Sequence, residues 1–409
     1  MPNAMLQVLL RSKTSFTPIV NAQVTIRSTD MQTDTLLQYA TNESGQTPII
    51  TLSAPPSSYS ESPDEPRPYS TYTIFITAPD FEEIEVEGIE LLPGVLALQE
   101  ITMTPSSLPN SNPEIIVIPP HTLYGDYPAK IPEAQVKPVP DSGDIVLNRV
   151  VIPEYIIVHD GTPDNRNAKD YYVRYIDYIK NVACSEIYAT WEDSTILANV
   201  LCIMSFTLNR VYTEWYRSRG YTFTITSSTA YDQKWIYGRN IFSNVSYLVD
   251  QVFNNYLARP GIAQPIFTSY CDGQRVTCSG LSQWGSKYLG DEGLSAIEIV
   301  RNYFGPDMYI ASATQISGVP SSYPGYELIN GTSGDKVRQI QTQLNRIARN
   351  YPAIPTIIAD GIYGPKTAET VKSFQKIFAL PVTGIVDFAT WYAISRIYVG
   401  VTRISEPGS

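Results

Sequence analysis

The chain has 409 residues, 43% hydrophobic and 17% charged, which is the composition of a globular protein long enough for two to four domains. Its two histidines exclude a zinc hydrolase of the H-E-x-x-H type, and its four cysteines are too few for a disulfide scaffold. The net charge of −11 arises in residues 1–149, which hold 18 of the 40 acidic but only 7 of the 29 basic side chains. Acidity therefore argues against an anionic polymeric substrate for that part of the chain alone.

Residues 1–105 are predicted to form a small antiparallel β-sandwich. Short alternating or apolar runs are separated by turn-forming clusters, and in "EEIEVEGIEL" acids alternate with apolar residues, as on a strand with one wet face. Asn21, Ala22 and the turn "TNESG" form a pattern that resembles the carboxypeptidase-regulatory-like sandwiches found as accessory domains.

Residues 106–150 are predicted to form an extended connector, because eight prolines between Pro109 and Pro140 break helices and sheets. Exposed, extended backbone is the kind that proteases cut. The connector is either a plain linker or a pro-region with its cleavage junction at Arg149, Val150 and Val151, where the acidic excess also ends.

Two helices are predicted to follow. Apolar residues three and four apart indicate a helix from Ala168 to Val182. The segment from Asp193 to Gly220 is apolar nearly all round in its first half, which predicts a buried central helix of roughly seven turns with Asp193 as its cap.

Glu186, in the predicted connection between these helices, is the candidate catalytic residue. It has apolar neighbours in "NVACSEIYATW", and acidic side chains are rarely placed so without a partner or a function. Burial there predicts a raised pKa, which a general acid near neutral pH requires. The alternative is a helix-terminal acid paired with Lys180, and Glu192 and Asp193 are rival carboxyls.

Three polar residues, Tyr237, Ser282 and Gln283, are candidate substrate-positioning groups. Trp284 is a further candidate, either stacking on a sugar face or filling the core. His159, at a predicted strand end, has either a proton-transfer or a structural role.

Cys271 and Cys278 bracket the turn "CDGQRVTC", and their spacing permits either a small disulfide or, with a histidine, a zinc site. No histidine is near them in sequence, which favours the disulfide. We expect no metal and no cofactor.

Three short helices are predicted in the last segment, and their loops carry specific motifs. Asp360, Gly361, Tyr363, Gly364 and Thr367 form D-G-x-Y-G-x-x-T, followed by "VKSFQ" and "GIVDFATW". This segment resembles the three-helix peptidoglycan-binding domain of wall hydrolases. The resemblance implies a groove for glycan or stem peptide with Tyr363 as a binding residue, and Trp391 is expected in the core.

The middle of the chain resembles the stage II sporulation protein D family of lytic transglycosylases. The run "YIKNVACSEIYATWEDSTILAN" keeps the family pattern and places Glu186 at the catalytic acid, and "SQWGSKYLGDEGLSAIEIVRNYFGPD" matches a second element. The family's A-R-T-Y and glycine–histidine elements are replaced by "SFTLNR" and "CSGL".

The order of these parts is similar to that of spore cortex-lytic enzymes. The predicted architecture is a multidomain α+β protein, with a β-sandwich pro-domain (1–105), a pro-linker (106–150), an α+β catalytic core (151–325) and a three-helix peptidoglycan-binding domain (326–409). The stretch Val151 to Gly161 fits the start of the mature enzymes.

The resemblance implies a zymogen that cleaves the MurNAc-GlcNAc bonds of spore cortex peptidoglycan after activation by a subtilisin-like Csp protease. Hydrolysis rather than transglycosylation remains open. The alternative function is a non-catalytic peptidoglycan-binding assembly protein. We expect no nucleic-acid or membrane partner, and a location in the cortex or coat region outside the spore core. The N-terminus shows no signal-peptide pattern, and no stretch reads as a transmembrane segment.

Overall fold

The structure, a computed structural model, describes residues 2–29, 36–108, 113–136, 150–262, 264–317 and 323–402, with the side chains of 134 and 136 left out. Arg149 of the predicted cleavage junction lies outside the described residues. Val150 lies inside them, as does Val151.

Alternating apolar residues in the first part of the chain form two sheets that share one core. In the described residues this part has the strands β1 (Asn3–Ser12), β2 (Gln23–Ser28), β3 (Leu37–Ala40), β4 (Ile50–Ser53), β5 (Ser70–Thr77), β6 (Ile84–Leu91), β7 (Leu96–Met103) and β8 (Glu114–Val117). One sheet has the order β3-β2-β5-β6-β8, and the other contains β7-β1-β4. The predicted N-terminal β-structure is confirmed. It is not purely antiparallel, since β1 is parallel to β7 and β6 to β8.

The predicted proline-rich connector contributes to this fold. Its strand β8 pairs with β6, so the N-terminal β-structure extends beyond residue 105. Residues 118–132, which we call the strap, then cross the middle region and lead into the short helix α1 (Glu133–Val136).

The middle region is a mixture of helices and short strands. It contains β9 (Val151–Ile152), β10 (Tyr155–His159), β11 (Asp170–Arg174), α2 (Tyr175–Glu186), α3 (Asp193–Tyr212), β12 (Ile225–Thr226), β13 (Ile241–Phe242), α4 (Ser243–Val252), β14 (Asn255–Ala258), β15 (Tyr270–Cys271), β16 (Leu281–Ser282), α5 (Gln283–Asp291), α6 (Ala296–Phe304), β17 (Tyr309–Ser312) and β18 (Gln315–Ile316).

The first predicted helix is only partly correct. Residues 170–174 form β11, which is antiparallel to β10, and the helix begins at Tyr175. The Tyr-Tyr-Val sequence suits a strand as well as a helix, and pairing with β10 decides between them. Glu186 is the last residue of α2 rather than part of a loop.

Helix α3 is buried at the centre of the middle region, as predicted, but is 20 residues long and ends at Tyr212. Glu192 is its N-cap and Asp193 its first helical residue, so the predicted capping role of Asp193 is wrong. The segment Asp193–Arg219 is long and apolar enough to cross a membrane, but 83% of its most apolar window is buried inside the protein.

The middle region and the N-terminal sheets are joined through shared backbone pairing. Strand β13 adds to the edge of β7, so the sheet order becomes β13-β7-β1-β4. Beside it, the fully buried Arg239 pairs with Glu90 at 2.8 Å. The predicted domains 1–105 and 151–325 are therefore packed as one structure.

The C-terminal segment contains the helices α7 (Asp335–Ala348), α8 (Pro365–Ile377) and α9 (Phe388–Thr402). Two buried glutamines hold the turns between them. The Gln341 amide donates to the Asp360 side chain and the Ile362 carbonyl at 3.0 Å, and Gln375 binds both the Thr383 and Gly384 amides. These bonds satisfy backbone groups that helix packing leaves open.

Candidate active site

Glu186 is held at the end of α2 with its carboxyl completely buried. One carboxylate oxygen accepts a hydrogen bond from the Lys234 backbone amide at 2.6 Å, and the other lies 3.5 Å from the Gln283 amide nitrogen. The Tyr270 hydroxyl is buried beside this carboxyl, and its interaction with Glu186 opposes the rise of the Glu186 pKa.

Burial raises the pKa of the Glu186 carboxyl from its ordinary value of 4.5 to about 7, because desolvation penalises the charged form. The positive charge of Lys130 is the largest opposing influence, followed by hydrogen bonding. The pKa shift has the direction expected from the sequence. A carboxyl of this kind is partly protonated at neutral pH and can donate a proton.

The strap covers Glu186. The Thr122 amide donates to the Ser185 carbonyl at 3.2 Å, and the His121 Nε2 proton to the Ile187 carbonyl at 3.3 Å, so strap residues bind on both sides of Glu186.

Further along, the Ile131 amide donates to the Ala230 carbonyl at 2.7 Å, and Lys130 Nζ to the Asp232 carbonyl at 3.2 Å. Between the attachment at Thr122 and the attachment at Ile131 the Tyr127 ring is buried, and burial together with the nearby Glu186 charge raises the pKa of its hydroxyl. A glycan-cleaving acid needs a cleft that admits a sugar chain, but here the strap lies over Glu186 and the carboxyl is completely buried.

The contacts support neither the pairing of Glu186 with Lys180 nor a rival carboxyl. Lys180 pairs with Asp250 at 2.7 Å rather than with Glu186. Glu192 and Asp193 are exposed on the protein surface.

The other buried carboxyls of this region are engaged. Asp232 binds the Arg210 guanidinium at 2.8 Å, and Asp272 accepts three backbone amides of its own turn. Glu186 is thus the buried acid of this region without a direct ion pair among the described contacts.

Of the predicted positioning groups, the structure brings Gln283 to Glu186. Ser282 caps helix α5 by accepting from the Gly285 amide at 2.9 Å, so its hydroxyl has a structural task. Trp284 is 2% exposed and packs against Tyr188 and Trp191, which favours core filling over stacking on a sugar face.

Tyr237 contacts another part of the fold, and its substrate-positioning role stays a prediction. Its hydroxyl donates to Glu114 at 2.8 Å and its ring stacks on Tyr171, so it joins the middle region to β8. In the C-terminal segment, Tyr363 is completely buried and donates to the Gly384 carbonyl at 2.7 Å, so it closes a core and does not face a ligand. Trp391 is buried too, as expected.

His159 and the cysteines take structural positions. His159 is bound on both ring nitrogens, to Asp170 at 2.7 Å and to the Asn165 carbonyl at 3.1 Å, which favours the structural role. Cys271 is bonded to Cys278. Within the described ranges no cluster of three or more histidine, cysteine or acidic side chains is placed to hold a metal ion.

Sequence reasoning missed the residues that surround the carboxyl from elsewhere in the chain, namely Tyr127, Lys130, Lys234 and Tyr270. The available signal was the aromatic strap sequence "HTLYGDYPAK", which is unusual for an exposed linker. Nothing local to these residues indicates that they meet Glu186.

Comparisons with known proteins identify one segment. Residues 333–394 match the family described as "Putative peptidoglycan binding domain". The match covers α7, α8 and the first part of α9, and indicates peptidoglycan binding and a cell-wall or extracellular location. No curated protein gave a significant match.

Among solved structures, a type II cohesin–X-dockerin complex from Acetivibrio cellulolyticus matches at 16% identity, over 25% of this chain and 52% of that chain, with a TM-score of 0.15. The chain thus spans about half the length of that structure, and the similarity is too low to support a common fold.

Proposed function

We propose that the protein is a peptidoglycan-cleaving enzyme made in an inactive form, in which Glu186 is the acid that breaks the glycan strand. The C-terminal family match supports the substrate class, because such domains bind peptidoglycan. The observation that carries the proposal is the Glu186 carboxyl, fully buried with a pKa raised to about 7. Such a pKa suits proton transfer near neutral pH.

One carboxyl is sufficient for lytic transglycosylation. The protonated carboxyl of Glu186 gives its proton to the glycosidic oxygen as the bond to the anomeric carbon breaks. The C6 hydroxyl of the same muramic sugar then bonds to that carbon, and the Glu186 carboxylate takes the hydroxyl proton. No water is consumed and the acid is regenerated, leaving a 1,6-anhydro end. An inverting or retaining hydrolase needs a second carboxyl, and Asp232 and Asp272 are engaged elsewhere.

The strap explains how the intact chain is inactive. It lies before the predicted junction, and Val151, the last residue of that junction, is held in β9, paired with Gln315. The intact strap is therefore fixed at both ends. Cleavage at 149–151 leaves it covalently connected only through residue 117, which lowers its effective concentration over Glu186 and lets substrate compete with its hydrogen bonds.

The finer identity rests on the resemblance to the spore cortex-lytic enzyme SleC. It gives cortex peptidoglycan as the substrate and a subtilisin-like Csp protease as the activator. The order of β-structure, proline-rich connector, acid-bearing middle region and wall-binding domain supports this assignment.

A direct test uses the full chain with residues 141–147 replaced by the recognition sequence of a site-specific protease. Cutting should start a fall in turbidity of cortex fragments, and the uncut chain should be much slower. Glu186→Gln should abolish activity after cutting, whereas Glu192→Gln, a matched exposed neighbour, should keep it. Equal activity of the cut Glu186→Gln and parent proteins would reject Glu186 as the acid.

The second candidate function is a non-catalytic wall-binding protein. The replacement of two family elements by "SFTLNR" and "CSGL" favours it. In that case the cut chain should sediment with cortex fragments but release no sugar.

A further inference from the structure

We infer that Arg275, on the disulfide-closed loop between Cys271 and Cys278, is a clamp that holds the strap over Glu186 in the intact chain. The inference deepens the proposed function and rests on it only for its effect on activity. The clamp itself is defined by contacts between two described segments.

The Arg275 guanidinium binds the part of the strap that lies between its two attachments. Nη2 donates to the Thr122 carbonyl at 2.8 Å, and Nη1 donates to the Gly125 carbonyl. The guanidinium also lies over the Tyr127 ring, 5.8 Å from its centroid. One side chain thus holds two carbonyls of the strap and the Tyr127 ring, whose hydroxyl is close enough to Glu186 to be affected by its charge.

The planar fork of arginine suits this task. It offers five N–H donors in fixed directions, so it reaches two carbonyls while a third donor remains for an anchor. A lysine ammonium in the same place keeps the charge without the fixed geometry. Arg275 is partly exposed, so its value lies in this geometry rather than in charge attraction.

The loop holds the guanidinium in position. Arg275 Nε donates to Asp272 Oδ2 at 2.9 Å, and the buried Asp272 carboxylate also accepts the Gln274, Arg275 and Val276 amides. The disulfide closes this turn at its base. The loop is also connected to the site, because the Asp272 carbonyl accepts the Trp284 amide next to Gln283.

Hydrogen exchange of the intact, uncut chain tests the clamp without any assay of activity. The Thr122, Gly125 and Ile131 amides are bonded in the closed strap, and their exchange reports its opening. Arg275→Gln removes two charge-assisted bonds and should speed strap exchange about tenfold or more. The rate of strap exchange in Arg275→Lys should lie between the rates in the parent and in Arg275→Gln.

The matched control is Arg259→Gln. Arg259 is exposed to a similar extent and also donates to a backbone carbonyl, that of Phe304, but has no described contact with the strap. The double variant Cys271→Ser, Cys278→Ser should speed strap exchange less than Arg275→Gln, because Asp272 keeps its amide partners. The inference is overturned if strap exchange is no faster in Arg275→Gln than in Arg259→Gln while β1 and β7 stay protected in both variants.

The activity of the same uncut variants separates the effect of the clamp on activity from the proposed function itself. Glycan cleavage by uncut Arg275→Gln supports the clamp as the restraint on activity. If the strap opens in uncut Arg275→Gln but no glycan is cleaved, while the cut chain is active, the clamp is not what restrains activity. If neither the opened nor the cut chain cleaves glycan, the proposed function fails, and the exchange result alone decides the clamp.

Discussion

Replacement of Glu186 by glutamine should change the pH dependence of stability, because the shifted pKa links protonation to folding. In the unfolded chain the carboxyl ionises near 4.5, and in the folded chain near 7. Below pH 4.5 both states hold the proton and no penalty exists. As the pH rises towards 7, the carboxyl ionises in the unfolded state before it does in the folded state. This ionisation stabilises the unfolded state relative to the folded state. The full penalty, reached above pH 7, is about 3 kcal/mol.

Glu186→Gln removes this penalty and keeps an oxygen that can accept from Lys234. Relative to the parent, the variant should therefore gain about 3 kcal/mol in free energy of unfolding between pH 4.5 and pH 8. Urea unfolding followed by tryptophan fluorescence at several pH values measures the difference. The exposed Glu192→Gln is the control for replacing an acid by an amide, and the change with pH is compared between the two variants. A stability difference between Glu186→Gln and the parent that does not vary with pH would refute the raised pKa.

Two further predictions concern stability and wall binding. Arg210→Met should destabilise the protein by about 3 to 5 kcal/mol in urea unfolding, because it leaves the Asp232 carboxylate buried without its ion pair and removes the bond to Glu133. A loss below about 1 kcal/mol would show that this ion pair adds little net stability. Gln341→Ala should lower the melting temperature of the C-terminal segment and weaken sedimentation with peptidoglycan, because it removes the hydrogen bonds that fix the Asp360 turn. Unchanged melting and binding would show that the turn keeps its conformation without Gln341.

The elements that the sequence predicted well are those specified by local pattern. The alternating acids and apolar residues of 82–91 gave a strand, and the glycine motifs around Asp360 gave the turns of the C-terminal helices. The burial of Glu186 also followed from its apolar neighbours, since Ala183 and Ile187 must face the core.

The elements that were wrong depend on contacts between distant residues. Residues 170–174 have apolar spacing that fits a helix, and only pairing with β10 makes them a strand. The aromatic residues of the strap indicate that it packs against something but not where, because its partners at Ser185 and Arg275 lie roughly 60 and 150 residues away along the chain. Tyr363 was assigned to binding because of its motif, but the motif positions it in the core.

The most direct test of the central claim is mass spectrometry of the sugar ends that the cut chain releases from cortex peptidoglycan. The account predicts 1,6-anhydromuramic ends from the parent and from Glu192→Gln, and none from Glu186→Gln. Reducing ends that carry oxygen from labelled water would contradict transglycosylation by a single carboxyl, and anhydro ends from the cut Glu186→Gln protein would contradict the role of Glu186.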